Sequence, residues 1–226
     1  MSGTERDESD VLVWDLPLRL FHWLLATAIA VSLWTGLSGG FEEMEWHQRS
    51  GYCVLGLILF RLLWGFLGTR HARFASFLAG PGRVLAHARA MASRRPPATT
   101  GHNPAAGWTI SLTLIAIAVQ AVTGLFASDD LFVEGPLVHL VGDETVSTMT
   151  RIHGWGQWIL GALVALHLLA ILVHSEVFNE RIVSPMITGR SPDAAPEEGI
   201  ASQRVPLGLG LALVVAGVVW WIVTRL

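Results

Sequence analysis

Four histidines of this chain lie in stretches that are otherwise almost wholly apolar, namely His22, His47, His153 and His167. His153 and His167 are fourteen residues apart in one such stretch. In an α-helix this spacing puts two side chains ~21 Å apart along the axis and within ~40° of the same direction. Neutral imidazole is a common metal ligand and an axial ligand of haem iron. The spacing therefore predicts ligands for two cofactors stacked along one helix.

The elements that must hold these side chains are membrane helices. Hydrophobic residues make up 52% of the chain and charged residues 15%, and the mean hydropathy is +0.50, which is unlike a soluble domain. A stretch of ~20 apolar residues spans a bilayer. Five such stretches are predicted, at residues 16–37, 47–67, 107–127, 152–174 and 207–223. We expect an all-α integral membrane protein with no nucleic-acid partner.

Four segments follow from this pattern. Residues 1–15 form a tail whose acidic residues argue against a signal peptide. Residues 16–190 form a four-helix transmembrane bundle, residues 191–206 a flexible linker, and residues 207–226 a fifth, C-terminal transmembrane helix set apart from the other four. Cys53 is the only cysteine, so a haem in this protein would be held noncovalently.

The orientation in the membrane follows from arginine, because the chain has no lysine. The connection between the second and third spans is rich in arginine and has no acidic residue; its arginines are Arg70, Arg73, Arg83, Arg89, Arg94 and Arg95. The first and third connections are acidic instead. Because basic loops stay in the cytoplasm, we expect a protein of the bacterial inner membrane with a cytoplasmic N-terminus and a periplasmic C-terminus.

Helix direction then gives each histidine a depth. His47 and His153 lie at the outer ends of the second and fourth spans, and we call them the outer pair. His22 and His167 lie in the cytoplasmic halves of the first and fourth spans, and we call them the inner pair. Two imidazoles from facing helices can ligate one iron with the porphyrin edge-on between them. Each pair is predicted to bind one haem without an open iron position, which favours electron transfer over oxygen chemistry.

Arginines near the histidines are candidates for binding haem propionates. Arg61 lies fourteen residues after His47 on the same predicted helix face, inside a span that holds no carboxylate. A charge at this depth is costly unless it is paired, and a propionate would supply the anion. Arg19 could serve the inner haem, and Arg49 and Arg151 the outer one. The alternative for Arg61 is a side chain that extends to the cytoplasmic interface.

The other histidines are weaker candidates. His174 lies near the cytoplasmic end of the fourth span. It is a candidate ligand of a third haem or of a quinone, and the alternative is a solvated residue at the end of the helix. His71, His87, His102 and His139 are expected at the surface. His71 and His102 could also lie near a cytoplasmic-side quinone pocket.

Motifs around these residues resemble a known family. They are Val13-Trp14-Asp15-Leu16-Pro17-Leu18-Arg19-Leu20-Phe21-His22-Trp23, His47 with Gly51 and Arg61-Leu62-Leu63-Trp64, Arg151-Ile152-His153 followed by His167, Gly101-His102-Asn103-Pro104, and Gly189 after Pro185-Met186-Ile187-Thr188. The chain is similar over about residues 11–190 to the prokaryotic di-haem cytochrome b561 family, which includes the cytochrome b subunits of nickel-iron hydrogenases. The fifth helix is an addition to that family's core.

The resemblance implies two noncovalent b-type haems and electron transfer across the membrane in a respiratory chain. It implies a quinone as the partner within the membrane and a periplasmic c-type cytochrome, dehydrogenase or other oxidoreductase subunit outside it. A second interpretation makes the chain the membrane anchor and cytochrome b subunit of a hydrogenase-like complex. Whether the chain is a quinol/quinone oxidoreductase component, and whether it forms a homodimer, is left open.

Two functions from other classes compete with the electron carrier. A transporter or proton conductor could line a polar path with the histidines and Arg61, but it would be expected to have broken helices or acidic relay residues within the spans. An anchoring subunit would use its haems only for assembly. Electron flow in a ligand variant that still assembles distinguishes this last function.

Overall fold

The computed structural model describes residues 10–93, 104–129 and 133–225. Its helices are α1 (Leu16–Ser38), α2 (Phe41–Leu67), α3 (Phe74–Phe77), α4 (Pro81–Ala92), α5 (Pro104–Gly124), α6 (Asp143–Val177), α7 (Val183–Thr188) and α8 (Val205–Arg225). Two short strands, β1 (Val11–Leu12) and β2 (Arg190–Ser191), pair antiparallel. Arg94, Arg95, His102 and the motif residues 101–103 lie outside the described residues.

Five of these helices are long and apolar enough to cross a membrane: α1, α2, α5, α6 and α8. The five predicted spans are confirmed, but two helices begin earlier than their apolar stretches. α2 begins at Phe41 and α6 at Asp143. Both have two acidic residues in their first turn, where a carboxylate stabilises the positive end of the helix dipole. Hydropathy therefore marks the membrane-crossing part of these helices and not their ends.

The bundle is built from two helix hairpins. α1 packs along α2, α5 packs along α6, and α2 joins the hairpins by packing against α5. Only 6% of the most apolar part of α6 is buried, so α6 touches the α1–α2 hairpin over a small area. His153 and His167 of α6 lie on the side that faces this hairpin, because their rings meet those of His47 on α2 and His22 on α1.

A buried carboxylate joins the start of α1 to the end of α2. Asp15 is fully buried and is the N-cap of α1, where its Oδ1 accepts from the backbone N–H of Leu18 at 2.8 Å. The same oxygen accepts from Trp64 Nε1 at 3.1 Å, and Oδ2 accepts from the Thr69 hydroxyl. Pro17 in the first turn loses no helical hydrogen bond there. This end of α1 is thus fixed to α2.

The segment at residues 191–206 is not the flexible spacer expected from its composition. Ile200 N–H donates to the carbonyl of Leu12 at 2.8 Å, and the Arg204 guanidinium donates to the carbonyl of Leu67 at 2.9 Å. α8 then packs against α2, with Val215 and Val219 beside Gly56. The proline and glutamate content predicted flexibility, but hydrogen bonds to Leu12 and Leu67, which are distant in sequence, hold the segment. The division of the chain into four segments stays a prediction.

The arginine-rich connection after the second span contains the helix α4 (Pro81–Ala92), which packs against α5. This helix follows a short turn and α3, whose Phe77 is buried. This connection covers the end of the bundle that carries the inner pair, so the arginine-rich loop is largely structured where it is described.

Candidate haem sites

The outer pair is brought together as predicted. The ring centroids of His47 on α2 and His153 on α6 are 5.8 Å apart, with an angle of 89° between the ring planes. His47 Nδ1 donates to the carbonyl of Ser32 at 2.9 Å, and His153 Nδ1 donates to the carbonyl of Gln120 at 3.0 Å. A hydrogen bond at Nδ1 fixes the tautomer and leaves the Nε2 lone pair for a metal.

Two glycines make room for these rings. A Cβ atom at Gly36 on α1 would lie 2.9 Å from two atoms of the His47 ring. A Cβ atom at Gly124 on α5 would lie 3.0 Å from Cε1 of His153. Both contacts are closer than carbon atoms normally approach, so each ring lies where only glycine leaves space on the neighbouring helix.

The inner pair is also brought together. The ring centroids of His22 on α1 and His167 on α6 are 6.4 Å apart, with an angle of 58° between the planes. The ring of His22 also meets that of Trp23 edge-on at 5.0 Å. His22 Nδ1 is buried and has no hydrogen-bond partner among the described residues. A buried ring nitrogen without a partner is costly. In the described part of the chain, His22 thus lacks the carbonyl acceptor that holds Nδ1 of each outer histidine.

Both ring separations fit one iron between two imidazoles. A metal–nitrogen bond of ~2.0 Å and ~1.1 Å from that nitrogen to the ring centre put two coaxial imidazoles ~6 Å apart. The ring centroids are 5.8 Å apart in the outer pair and 6.4 Å apart in the inner pair. Within the described ranges, no group of three His, Cys, Asp or Glu side chains could hold a metal ion. Each pair thus offers two donors, as a porphyrin that supplies four equatorial nitrogens requires.

Arg61 is buried and only partly neutralised. It is 3% exposed, so the alternative of a side chain that extends to the interface is wrong. Its guanidinium lies over the ring of Phe74 at 4.7 Å and is attracted electrostatically by Asp15, a carboxylate just before the first span. No ion pair joins Arg61 to Asp15 among the described residues, and Arg61 Nη1 has no hydrogen-bond partner there. An anion such as a propionate would satisfy this atom.

The other three candidate arginines differ in their surroundings. Arg19 donates to the carbonyl of Ile187 at 2.5 Å, while its buried Nε has no partner among the described residues. Arg49 pairs with Glu45 and is exposed. Arg151 lines a groove of about 470 Å³ between α5 and α6. Arg19 thus has a free donor beside the inner pair, whereas Arg49 is already paired and Arg151 faces this groove.

The remaining described histidines have other partners. His174 Nδ1 bonds Glu180 Oε2 at 2.8 Å near the end of α6, so it is engaged by a carboxylate. His71 was expected at the surface, and this was wrong. It is 8% exposed, meets the ring of Trp14 at 6.0 Å, and its Nε2 donates to the carbonyl of Glu198 at 2.7 Å. Contacts with the far end of the chain, which local sequence does not reveal, bury His71. His139 is exposed as expected.

Sequence reasoning missed the residues that hold the paired histidines in place. The backbone carbonyl of Gln120 accepts from His153 Nδ1, and the side-chain Nε2 of Gln120 donates to the backbone carbonyl of His153 at 2.8 Å. Ser32 and Ser50 share a hydrogen bond of 2.6 Å beside His47. A glutamine within an apolar span was a visible signal, because a buried amide needs a partner. Gly36 and Gly124 had no comparable signal, since their use depends on how the helices are rotated.

The fold and the paired imidazoles define a multi-pass membrane protein built like a b-type cytochrome. The family model for prokaryotic cytochrome b561 matches residues 13–189, and the chain belongs to this family. A haem b is therefore the cofactor that the family implies, and the residues present fit it. The match ends before α8, so the last helix lies outside the family region.

Curated relatives support the same family. The chain is 25% identical over 209 residues to a probable Ni/Fe-hydrogenase 1 B-type cytochrome subunit of Escherichia coli, covering 78% of this chain and 88% of the relative. It is 28% identical to a probable Ni/Fe-hydrogenase B-type cytochrome subunit of Bradyrhizobium diazoefficiens, covering 79% and 85%. A protein of the same description from Azotobacter vinelandii is 27% identical, with 81% and 89% covered. No solved structure matches the chain.

Proposed function

We propose that this protein carries electrons across the membrane through two haem b groups, one held by the outer pair and one by the inner pair. The observation that supports this proposal most strongly is the presence of two imidazole pairs with ring centroids 5.8 Å and 6.4 Å apart. The pairs share α6, on which their ligands are fourteen residues apart. Membership of a family of b-type cytochromes supports an electron carrier over a transporter.

The protein's part is to fix the ligands and the local charge. When bound, each haem supplies an iron that changes oxidation state by one electron. His47 and His153 are held by hydrogen bonds to Ser32 and Gln120, so their rings keep one tautomer and one direction. A carbonyl acceptor at Nδ1 makes the imidazole a stronger electron donor to the metal.

The inner site differs in its electrostatics. Arg61 and Arg19 each have a buried nitrogen that lacks a partner among the described residues. In our proposal these two side chains bind propionates of the inner haem. The outer candidates, Arg49 and Arg151, act at the edge of the bundle, where solvent screens their charge. Positive charge close to a haem disfavours the ferric state, so the inner haem has the higher reduction potential of the two on this ground.

The comparisons favour one of the two interpretations of the chain's place in metabolism. The relatives are named as B-type cytochrome subunits of nickel-iron hydrogenases. We therefore propose that this chain is the cytochrome b subunit of a membrane-bound oxidoreductase complex of hydrogenase type, rather than a free carrier between quinone and a c-type cytochrome. A periplasmic redox subunit would exchange electrons with the outer haem, and a quinone would do so within the membrane.

Purification from native membranes tests the partner. Under mild detergent we expect an oxidoreductase that contains nickel and iron to copurify with the tagged chain, as metal analysis and mass spectrometry would detect. Copurification of a c-type cytochrome without such an enzyme would instead support the free carrier and contradict the hydrogenase-type complex.

Sealed vesicles test transmembrane electron transfer. The purified chain is placed in vesicles that contain ferricyanide, with an impermeant reductant outside. We expect ferricyanide to be reduced in wild type, and the rate to fall to that of protein-free vesicles in His153→Ala and in His167→Ala, because each removes one site of the path. The exposed His139→Ala variant is the matched control and should keep the wild-type rate. Unchanged flux in either ligand variant would contradict the proposal.

A further inference from the structure

One apolar residue from each bundle helix lies midway between the two histidine levels. On α6, Leu160 is seven residues from His153 and seven from His167. On α2, Val54 is seven residues from His47 and seven from Arg61. Seven residues make about two helical turns, or ~10 Å, so Leu160 and Val54 lie at the same depth.

The other two bundle helices follow the same spacing. On α1, Ile29 is seven residues from His22 and seven from Gly36, which touches the ring of His47. On α5, Ile117 is seven residues from Gly124, which touches the ring of His153. α1 and α5 run opposite to α2 and α6, so all four residues meet at one level. We call Ile29, Val54, Ile117 and Leu160 the middle layer.

The middle layer is buried and apolar. Ile29 is 9%, Val54 6%, Ile117 2% and Leu160 5% exposed, and all four belong to one buried hydrophobic cluster. None of these side chains carries a hydrogen-bonding group. A charge or a proton in such surroundings has neither partner nor solvent, which is very costly.

The interior on the outer side of the middle layer contains polar groups among apolar ones. Ser32 and Ser50 share a hydrogen bond, Ser50 donates to the carbonyl of His47, and Gln120 bonds the backbone of His153. These groups could support a chain of hydrogen bonds from the outer surface towards the bundle centre.

The interior on the inner side contains polar groups among apolar ones. It contains His22 and His167, the buried guanidinium of Arg61, and Asp15 with Thr69. Polar groups of the two halves therefore lie on both sides of the middle layer. The middle layer belongs to a larger buried apolar cluster, which also includes Leu25 and Ile58 on the inner side.

We infer that Ile29, Val54, Ile117 and Leu160 form a proton-tight partition between the two histidine pairs. Electrons can tunnel across a hydrocarbon gap of this size, whereas protons need a continuous chain of donors and acceptors. The partition thus lets the bundle pass charge as electrons while it keeps the proton gradient intact. This assignment goes beyond the proposed electron transfer, since proton tightness is a property of the protein interior.

A proton-leak measurement tests the partition. The haem-loaded full chain is placed in sealed vesicles with a trapped pH-sensitive dye, and a potassium diffusion potential drives protons inward. We expect Leu160→Asn to raise the proton influx roughly tenfold over wild type, because an amide in the layer gives water and protons a partner. Val54→Thr adds one hydroxyl at nearly the same volume, and we expect it to raise the influx by a smaller factor. Val54→Thr provides the same test if Leu160→Asn does not assemble.

Two control variants separate the partition from general damage. Leu160→Met keeps the layer apolar and should leak as wild type does. Leu169→Asn places the same amide on the exposed face of α6, where Leu169 is 56% exposed, and should also leak as wild type does. A wild-type leak in assembled Leu160→Asn or Val54→Thr protein would overturn the inference, as would an equal leak in Leu169→Asn.

The haem content of each preparation distinguishes a failure of the proposed electron transfer from a failure of the partition. A wild-type protein with fewer than two haems would contradict the proposed function. An unchanged leak in a variant that keeps the wild-type haem content would contradict the partition alone.

Discussion

The ring of His47 fits against α1 because residue 36 has no side chain. The Nδ1 atom of His47 donates to the carbonyl of Ser32, which lies four residues before Gly36 on α1. His153 has the equivalent arrangement on α5, with Gly124 and the carbonyl of Gln120. Each histidine of the outer pair thus uses one glycine and one carbonyl of a neighbouring helix, and the ring direction depends on both.

A methyl group at position 36 tests this arrangement. In Gly36→Ala the new Cβ would lie 2.9 Å from the His47 ring, so the ring must turn and its alignment with His153 is lost. We expect haem affinity at the outer site to fall by roughly tenfold or more, as for other changes that reorient a metal ligand. The haem-to-protein ratio after purification measures this.

Gly217→Ala is the control, because a Cβ atom at Gly217 meets nothing within 4 Å. It should keep the wild-type haem ratio. An unchanged ratio in Gly36→Ala would show that the close approach of α1 is not needed for binding.

The buried charge of Arg61 is expected to act on the reduction potential of the inner haem. Arg61→Gln removes a buried cation, and we expect the reduction potential of the inner haem to fall by ~50 mV, about 1 kcal/mol, since ferric iron is then less disfavoured. The potential of the outer haem should change little. A spectroelectrochemical titration resolves the two, and a shift in the outer haem alone would contradict the assignment of Arg61 to the inner site.

At the scale of elements, the α1–α2 hairpin depends on the carboxylate that caps α1. Asp15 binds the first turn of α1, the indole of Trp64 and the hydroxyl of Thr69. The apolar stretch at residues 16–37 predicted a helix there, but the contacts of Asp15 with α2 could not be predicted. They depend on residues 49 and 54 positions further along the chain.

Removal of this carboxylate should destabilise the hairpin. Asp15→Ala loses a helix cap worth about 1 kcal/mol and leaves two buried donors unpaired at about 1–3 kcal/mol each. We expect a clear fall in the thermal unfolding midpoint in detergent. Asp143→Ala changes the exposed first turn of α6 and should lower the midpoint far less. Equal effects of the two variants would contradict the role given to Asp15.

At the scale of the whole molecule, hydropathy and helical periodicity were enough to predict the five spans and the pairing of four histidines. Both follow from spacing within a helix and from the order of crossings. The buried position of His71, the hydrogen bonds of the segment at residues 191–206, and the packing of α8 on α2 could not be predicted in this way. They depend on contacts between distant parts of the chain.

Fusions to a reporter enzyme test the predicted orientation of the chain in the membrane. A reporter enzyme that is active only outside the cytoplasm should be active when fused after Arg225 and inactive when fused after Ser93, because the arginine-rich connection is expected in the cytoplasm. Immunoblots of the fusions control for expression. The reverse pattern of activity would contradict the orientation and exchange the inner and outer pairs.

The central claim is that each imidazole pair holds one haem, and haem counting in ligand variants tests it most directly. By reduced-minus-oxidised spectra and haem extraction we expect about two haem b per chain in wild type, and about one in His153→Ala and in His167→Ala. The haem left in His153→Ala should be the one whose potential responds to Arg61→Gln. Two haems retained in either variant, or a wild type with a single haem, would contradict the account.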